Sequence, residues 1–147
     1  AVVITRVPRG ARMAGIERKV RLHNPEVPVF RSRMVPEAWT SPAKRVGAFC
    51  GIGSPRAFWR TLEELGLDVV SRSVFADHHS YAVSDMERVA REAQAAGAEV
   101  LVTTEKDMMN LPEGLSLTLP LECVRIGVEI ENEAELLALI GRAVEKA

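Results

Sequence analysis

The feature that most constrains the fold is an alternation, from residue 46 onward, of short apolar runs typical of strands with segments of helical periodicity. The first apolar run ends at Gly51, and Ser54-Pro55 then supplies a helix N-cap and a first helical residue. The predicted strands are residues 46–50, 68–75, 99–103 and 120–128, in the order strand, helix, strand, helix, strand, strand, helix. This order predicts an α/β fold, with a mostly parallel sheet and helices on both faces in a three-layer α/β/α arrangement.

Charge divides the chain near residue 45. Residues 1–45 hold ten Lys and Arg against three Glu, a balance of +7, whereas residues 46–147 hold nine against seventeen Asp and Glu, a balance of −8. We therefore expect residues 1–30 to be a βαβ remnant that ends one domain, residues 31–45 to be an extended linker, and residues 46–147 to be a second α/β domain. The alternative is a solvated basic helix beside an acidic domain. Because the chain starts within a strand pattern and without Met, we expect a fragment.

Two classes of protein are disfavoured by composition. Cys50 and Cys123 both lie in apolar runs, which favours reduced, buried thiols over a disulfide framework or a cysteine metal site. The sequence shows no signal peptide and no apolar run of about eighteen residues. We accordingly expect a cytoplasmic protein, and no nucleic-acid partner.

Two polar segments follow predicted strands. The first contains Asp77, His78 and His79, and the second is Thr104-Glu105-Lys106-Asp107. Loops outside the carboxyl ends of strands are where ligands bind in open α/β sheets. A histidine base, a cation and carboxylates are also the groups that phosphoryl transfer uses, so these segments are the candidate site.

Each segment has alternatives. The Asp77-His78-His79 run could ligate a metal, could place a histidine as a general base held by a carboxylate, or could simply cap a turn. In the second segment Lys106 could contact a phosphate, Thr104 or Asp107 could cap the next turn, or the whole strand end could be solvated.

A glycine-containing turn follows the first strand of the predicted domain. Gly51 and Gly53, with Ser54, could bring backbone N–H groups close to a phosphate at the helix N-terminus, or could only permit a tight turn. The chain contains no Gly-x-x-x-x-Gly-Lys-Ser/Thr motif, so it carries no phosphate-binding loop of that kind.

Three blocks in register resemble one family. The segment from Ala48 to Pro55 with Phe58-Trp59, then Phe75-Ala76-Asp77-His78, then Thr103-Thr104-Glu105-Lys106-Asp107, is similar to the C-terminal half of the tetraacyldisaccharide 4′-kinases, also called lipid A 4′-kinases. The resemblance covers nearly the whole chain. Two departures are Ser54, where the family usually has Asn, and Asn110, where a basic residue is common.

The resemblance implies two α/β domains joined by a short β linker, the second related to P-loop kinases, with the active site in the cleft between them. It implies transfer of the γ-phosphate of ATP, with Mg²⁺, to the 4′-hydroxyl of a disaccharide lipid A precursor. The phosphate-binding loop, the magnesium carboxylates and a catalytic Asp would belong to the N-terminal domain and are not in this sequence.

The resemblance also implies residue roles. His78, held by Asp77, would help to activate the sugar hydroxyl, and His79 would have no role. Gly51, Gly53, Ser54, Thr104, Glu105, Lys106 and Asp107 would lie on the substrate or nucleotide side, and no residue is assigned to a metal. The basic segment, residues 6–45, would face an anionic partner, either the membrane surface of the inner leaflet or the substrate phosphate. The full-length enzyme would be cytoplasmic and peripheral to the inner membrane.

Two other functions remain open. One is a non-catalytic nucleotide- or partner-binding module built on Gly51 and Gly53. The other is a metal phosphoesterase of the Asp-His-His type, which needs Asp-rich motifs upstream, whereas residues 1–75 contain only Asp68.

Overall fold

A computed structural model describes residues 1–7 and 10–145. Arg9 of the basic segment and the last two residues of the expected second domain lie outside the described residues. The elements in chain order are β1 (Val2–Ile4), α1 (Ala14–His23), β2 (Val29–Pro36), β3 (Arg45–Cys50), α2 (Pro55–Glu64), β4 (Asp68–Val74), α3 (Val83–Ala95), β5 (Val100–Thr104), α4 (Glu105–Met108), β6 (Leu121–Val124), β7 (Ile126–Ile130) and α5 (Glu133–Val144). They form two units, which we call the first unit (Ala1–Val35 with Ile126–Ala147) and the second unit (Pro36–Arg125).

The second unit contains a parallel sheet with the strand order β4-β3-β5-β6. Successive side chains of a strand point to opposite faces, and β3 shows this clearly. Gly47 faces α3, since a Cβ added there would lie 2.3 Å from the Cβ of Ala93, and Phe49 belongs to the same core cluster. Val46, Ala48 and Cys50 are buried on the other face, where α2 contributes buried Phe58 and Leu62. The predicted α/β fold, with a parallel sheet and helices on both faces, is confirmed.

The strand order creates a switch point at the carboxyl edge of this sheet. From β3 the chain passes through α2 to β4 on one side, and from β4 it returns through α3 to β5 on the other side of β3. The loops after the neighbouring strands β3 and β5 therefore leave in opposite directions, which opens the crevice in which α/β proteins bind ligands. Both polar segments, and the glycine turn, lie at this edge.

The first unit contains a three-stranded sheet with the order β1-β2-β7, in which β1 and β2 are parallel. Its helices bury little: α1 has no buried residue, and α5 is buried only at Leu136. Leu137, Ile140 and Val144 are exposed, as are Ile16 and Leu22 of α1. Most apolar side chains of these two helices are therefore exposed or only partly buried.

The segments of the chain differ from the expected ones in two places. Strand β2 continues to Pro36, into the segment expected to be a linker, and the single strand expected at residues 120–128 is two strands that end and begin on either side of Arg125. Because β7 is a neighbour of β2, residues from Ile126 onward join the unit that contains the start of the chain. Periodicity gives the order of elements but not this pairing, so the expected boundaries do not coincide with the two units.

Within residues 1–7 and 10–145, none of the helices combines the length and the apolar composition needed to cross a bilayer.

Candidate functional site

The fully buried carboxylate of Asp107 joins the ends of β3 and β5. Its Oδ1 accepts hydrogen bonds from the backbone N–H of Gly51 (3.0 Å) and from the Tyr81 hydroxyl (2.9 Å), and its Oδ2 accepts from the Thr104 hydroxyl (2.7 Å). Burial, and then the bond to Asp107, raises the pKa of Tyr81, so the phenol stays protonated and remains a donor. Three donors thus compensate a carboxylate that has been removed from water.

The glycine turn is explained by close packing. A Cβ added at Gly51 would lie 2.9 Å from both the Ala76 carbonyl oxygen and the Tyr81 hydroxyl, which is too close for any other residue. The Gly51 N–H is already bonded to Asp107. At Gly53 an added Cβ would lie 3.2 Å from Asp77 Oδ2, a tighter contact than usual. Close packing, the tight-turn alternative, therefore accounts for the glycine at position 51.

Two predicted caps occupy helix N-termini. Thr104 is the N-cap of α4, and its hydroxyl oxygen accepts a hydrogen bond from the backbone N–H of Asp107 (3.1 Å), which confirms the capping alternative for this residue. Ser54 stands at the N-cap of α2 with Pro55 following, but its side chain makes no capping hydrogen bond. Glu105 points outward, with an Oε1 3.7 Å from Arg125 Nε. Thr104 thus has a local role as a cap, whereas the Ser54 side chain has none that a capping bond shows.

Asp77 and Lys106 form an ion pair across the carboxyl edge of the sheet. The Lys106 Nζ donates to Asp77 Oδ1 at 2.5 Å, and both side chains are partly exposed. The hydrogen bond from Lys106 is the largest cause that lowers the pKa of Asp77 below its usual value, followed by the charges of Lys106 and His78. The link is therefore present above the ordinary carboxyl range and is lost only as the pH falls through the lowered pKa.

His78 is held by its backbone and presents its ring to solvent. Its φ of 61° is in the left-handed region, which non-glycine residues seldom adopt. Its N–H lies 3.3 Å from the Gly51 carbonyl oxygen and 3.1 Å from Asp77 Oδ1. The ring is 78% exposed, with Nε2 3.9 Å from Asp77 Oδ2, which is longer than a hydrogen bond. Asp77 thus bonds the backbone of His78 and lies beside the ring, rather than holding the ring.

The ring of His79 packs against other side chains of the second unit. Its Nε2 lies 3.0 Å from Asp85 Oδ2, and its ring stacks on Phe75 at a centroid distance of 4.7 Å. Asp85 also accepts from the Ala82 N–H, and the bond to His79 and this bond lower the pKa of Asp85. Asp77 and His79, which flank His78, have different partners: Asp77 pairs with Lys106 and His79 with Asp85. The three side chains therefore do not face a common ligand position.

Within residues 1–7 and 10–145, no three His, Cys, Asp or Glu side chains form a group that could hold an ion. The carboxylates of the site already bond Lys106 and the three donors around Asp107. These residues do not fit a Mg²⁺ site, and we assign none of them to the ion.

Sequence reasoning missed the support around the site. Tyr81 is the only tyrosine of the chain and lies three residues after His78, but no spacing rule predicts its bond to Asp107, 26 residues away. The expected thiol burial is seen at Cys50 but not at Cys123, which is only partly buried. Burial raises the pKa of Cys50 to about 11, so its thiol is no nucleophile near neutral pH.

Comparison with known proteins gives one consistent result. The family model described as tetraacyldisaccharide-1-P 4′-kinase matches residues 2–145. The chain is 36% identical over 118 residues to the tetraacyldisaccharide 4′-kinase of Koribacter versatilis (80% of this chain and 36% of that protein). It is 38% identical over 122 residues to that of Methylorubrum extorquens strain PA1 (82% and 36%), and 34% over 139 residues to that of Methylorubrum populi (94% and 42%). No solved structure matches. The chain therefore spans 36–42% of the length of these relatives.

Proposed function

The chain belongs to the tetraacyldisaccharide-1-P 4′-kinase family, and we propose that it is the C-terminal part of an ATP-dependent lipid kinase. The full-length enzyme would phosphorylate the 4′-hydroxyl of a tetraacyldisaccharide 1-phosphate, a step of lipid A synthesis. The main observation that supports a catalytic role for this chain is the exposed ring of His78. It lies beside the Asp77 carboxylate at the switch point of a parallel sheet.

In this proposal His78 is the acceptor-side base. A neutral imidazole takes a proton from a hydroxyl that is becoming a nucleophile, and the neighbouring Asp77 carboxylate stabilises the imidazolium that results. The left-handed backbone of His78, fixed by Gly51 and Asp77, sets the direction of the ring. His79 takes no part, because its ring is bound to Asp85.

ATP and Mg²⁺ belong, in this proposal, to the rest of the full-length enzyme. They supply the phosphoryl group and the charge neutralisation that its transfer requires. The described residues offer no group of metal ligands, and the Gly51 N–H is used within the protein.

The activity is tested with the purified full-length enzyme, ATP, Mg²⁺ and tetraacyldisaccharide 1-phosphate. We expect a product that carries a second phosphate at the 4′ position, identified by mass spectrometry and ³¹P NMR. Turnover of ATP with no phosphate at that position would overturn the proposed substrate.

The 147-residue chain alone is expected to have no ATP-dependent phosphotransferase activity. Most of the catalysis in this chemistry comes from the phosphate-binding loop and the metal ligands, and the sequence contains no such loop. The measurement is phosphate transfer to the lipid by the purified chain, with the full-length enzyme as positive control. Transfer above the buffer rate would contradict this prediction.

We further propose that the basic segment of residues 6–45 places the enzyme at the cytoplasmic face of an anionic membrane. Helix α1 supports this proposal, because Arg18, Lys19 and Arg21 are exposed on it together with the apolar Ile16 and Leu22. Basic helices with exposed apolar residues bind the headgroup region of anionic bilayers. Other cations of the segment are already paired, with Arg31 contacting Glu17 and Arg33 contacting Glu129.

Binding to vesicles is expected to need anionic lipid and to weaken with salt. Attraction between exposed charges is screened over about 10 Å at 0.1 M ionic strength. The double variant Arg18→Glu/Lys19→Glu should abolish co-sedimentation with anionic vesicles at low salt. Arg56→Glu/Arg60→Glu on α2 changes the net charge by the same amount and should leave it nearly unchanged. Equal binding to neutral and anionic vesicles, or equal loss in both variants, would count against α1.

A further inference from the structure

The ammonium group of Lys106, the lysine of the candidate site, is paired with a carboxylate of the same protein. Lys106 donates to Asp77 Oδ1 at 2.5 Å, whereas the other oxygen of Asp77 lies 3.9 Å from the ring of His78. We propose that Lys106 is a positioning residue: it holds one oxygen of Asp77, leaves the other beside the ring of His78, and keeps that ring neutral at working pH. This inference rests on the proposed function, in which His78 must be an unprotonated base.

The backbone beneath Lys106 is fixed. Helix α4 begins at Thr104, whose hydroxyl bonds both the backbone N–H and the carboxylate of Asp107. Asp107 in turn holds Gly51, and the Gly51 carbonyl oxygen accepts from the N–H of His78. The backbones of Lys106 and His78 are therefore linked through the same buried hydrogen-bond network. This network holds the two residues on either side of Asp77.

The electrostatic consequence follows from the signs of the charges. A carboxylate beside an imidazole stabilises the protonated ring, and a protonated ring cannot act as a base. The ammonium of Lys106 offsets part of the charge that Asp77 presents to His78. The pKa of Asp77 is lowered, first by the hydrogen bond from Lys106, and this direction agrees with a favourable pairing of the two charges.

Other charged groups of the surrounding elements have partners of their own. On α3, Asp85 bonds His79, and Arg88 lies over the ring of Phe75 with its Cζ 5.6 Å from the centroid. On α4, Asp107 is buried among its three donors. Lys106 is the cation in direct contact with Asp77, so its removal changes the field at His78 most directly.

The first test uses ring-proton NMR of the histidines in the purified chain, which does not depend on activity. In Lys106→Met the ring of His78 should take up its proton at a pH higher by about half a unit to one unit, a modest shift for an exposed site. His79, which Asp85 binds, is an internal control and should not move. Lys106→Arg keeps the charge and should keep the native titration, as should Arg91→Met on α3. An unchanged His78 titration in Lys106→Met would overturn the proposal.

The second test uses the full-length kinase. In Lys106→Met the acid limb of the kcat profile should move to higher pH by the same amount, with KM for ATP and for the lipid unchanged. A rise in KM for the lipid with an unmoved acid limb would instead assign Lys106 to a substrate phosphate and overturn the proposal. If the native enzyme fails to phosphorylate the lipid, the proposed function fails, while the NMR titration still decides the role of Lys106.

Discussion

Replacement of His78 by alanine in the full-length enzyme is expected to lower kcat by about 10²–10⁴-fold, the usual contribution of a positioned acid–base group. KM for ATP should barely change, because we place the nucleotide on the rest of the enzyme. The physical reason is that the variant removes the exposed imidazole beside Asp77 while leaving the turn around it, which is held by backbone groups. The measurement is steady-state kinetics with the lipid and ATP varied in turn.

The adjacent histidine is the matched control. His79→Ala removes a ring that is bonded to Asp85 and stacked on Phe75, so we expect a loss of stability of about 1 kcal/mol and a much smaller change in kcat. If His79→Ala is the crippling change and His78→Ala is tolerated, the assignment within the motif is wrong. If both variants keep native kcat, the segment only caps its turn.

The pH profile offers a separate check of the same assignment. Imidazole side chains ordinarily become protonated below about pH 6.5, so activity should fall on the acid side. Asp77 stays ionised well below that range because Lys106 lowers its pKa. An acid limb that persists unchanged in His78→Gln, measured at saturating substrates, would show that another group titrates.

The fold of the second unit could be predicted because its sequence is locally consistent. Strand and helix periodicities alternate without interruption from β3 to β5, and such an alternation has few topological solutions. The membership of β7 and α5 in the first unit could not be predicted in the same way. It depends on the pairing of β7 beside β2, residues almost one hundred positions apart, and neither periodicity nor charge encodes that pairing.

The location of the candidate site could be predicted from the sequence, but the contacts between its residues could not. Strand ends of a parallel sheet meet at one edge, so His78 and Lys106 were expected near one another. Burial decides which polar residues can contact a ligand and which make structural hydrogen bonds within the protein. Asp107 and Lys106 are adjacent polar residues in the sequence, yet Asp107 is fully buried, whereas Lys106 is partly exposed and faces Asp77. The buried carboxylate of Asp107 is compensated in part by a bond from Tyr81, a partner that no local rule encodes.

Replacement of Asp107 by alanine is expected to destabilise the second unit by about 3 kcal/mol or more. The change leaves the N–H of Gly51 and the hydroxyls of Tyr81 and Thr104 without their acceptor in a buried site, and each unsatisfied donor costs about 1–3 kcal/mol. Because native domains are stable by only about 5–15 kcal/mol, this is a large fraction of the total. Urea unfolding followed by tryptophan fluorescence measures it, since Trp39 and Trp59 both lie in the second unit.

Graded variants separate the loss of the acceptor from a general effect of mutation. Tyr81→Phe removes one donor and leaves the carboxylate with two, so it should cost only about 1 kcal/mol. Asp107→Asn keeps an acceptor oxygen for Gly51 and Tyr81 and should fall between Tyr81→Phe and Asp107→Ala. Glu105→Ala removes a neighbouring exposed carboxylate of α4 and should change the unfolding midpoint little. Native stability in Asp107→Ala would show that Asp107 does not join the ends of β3 and β5, and the fixed backbone beneath Lys106 would then need another cause.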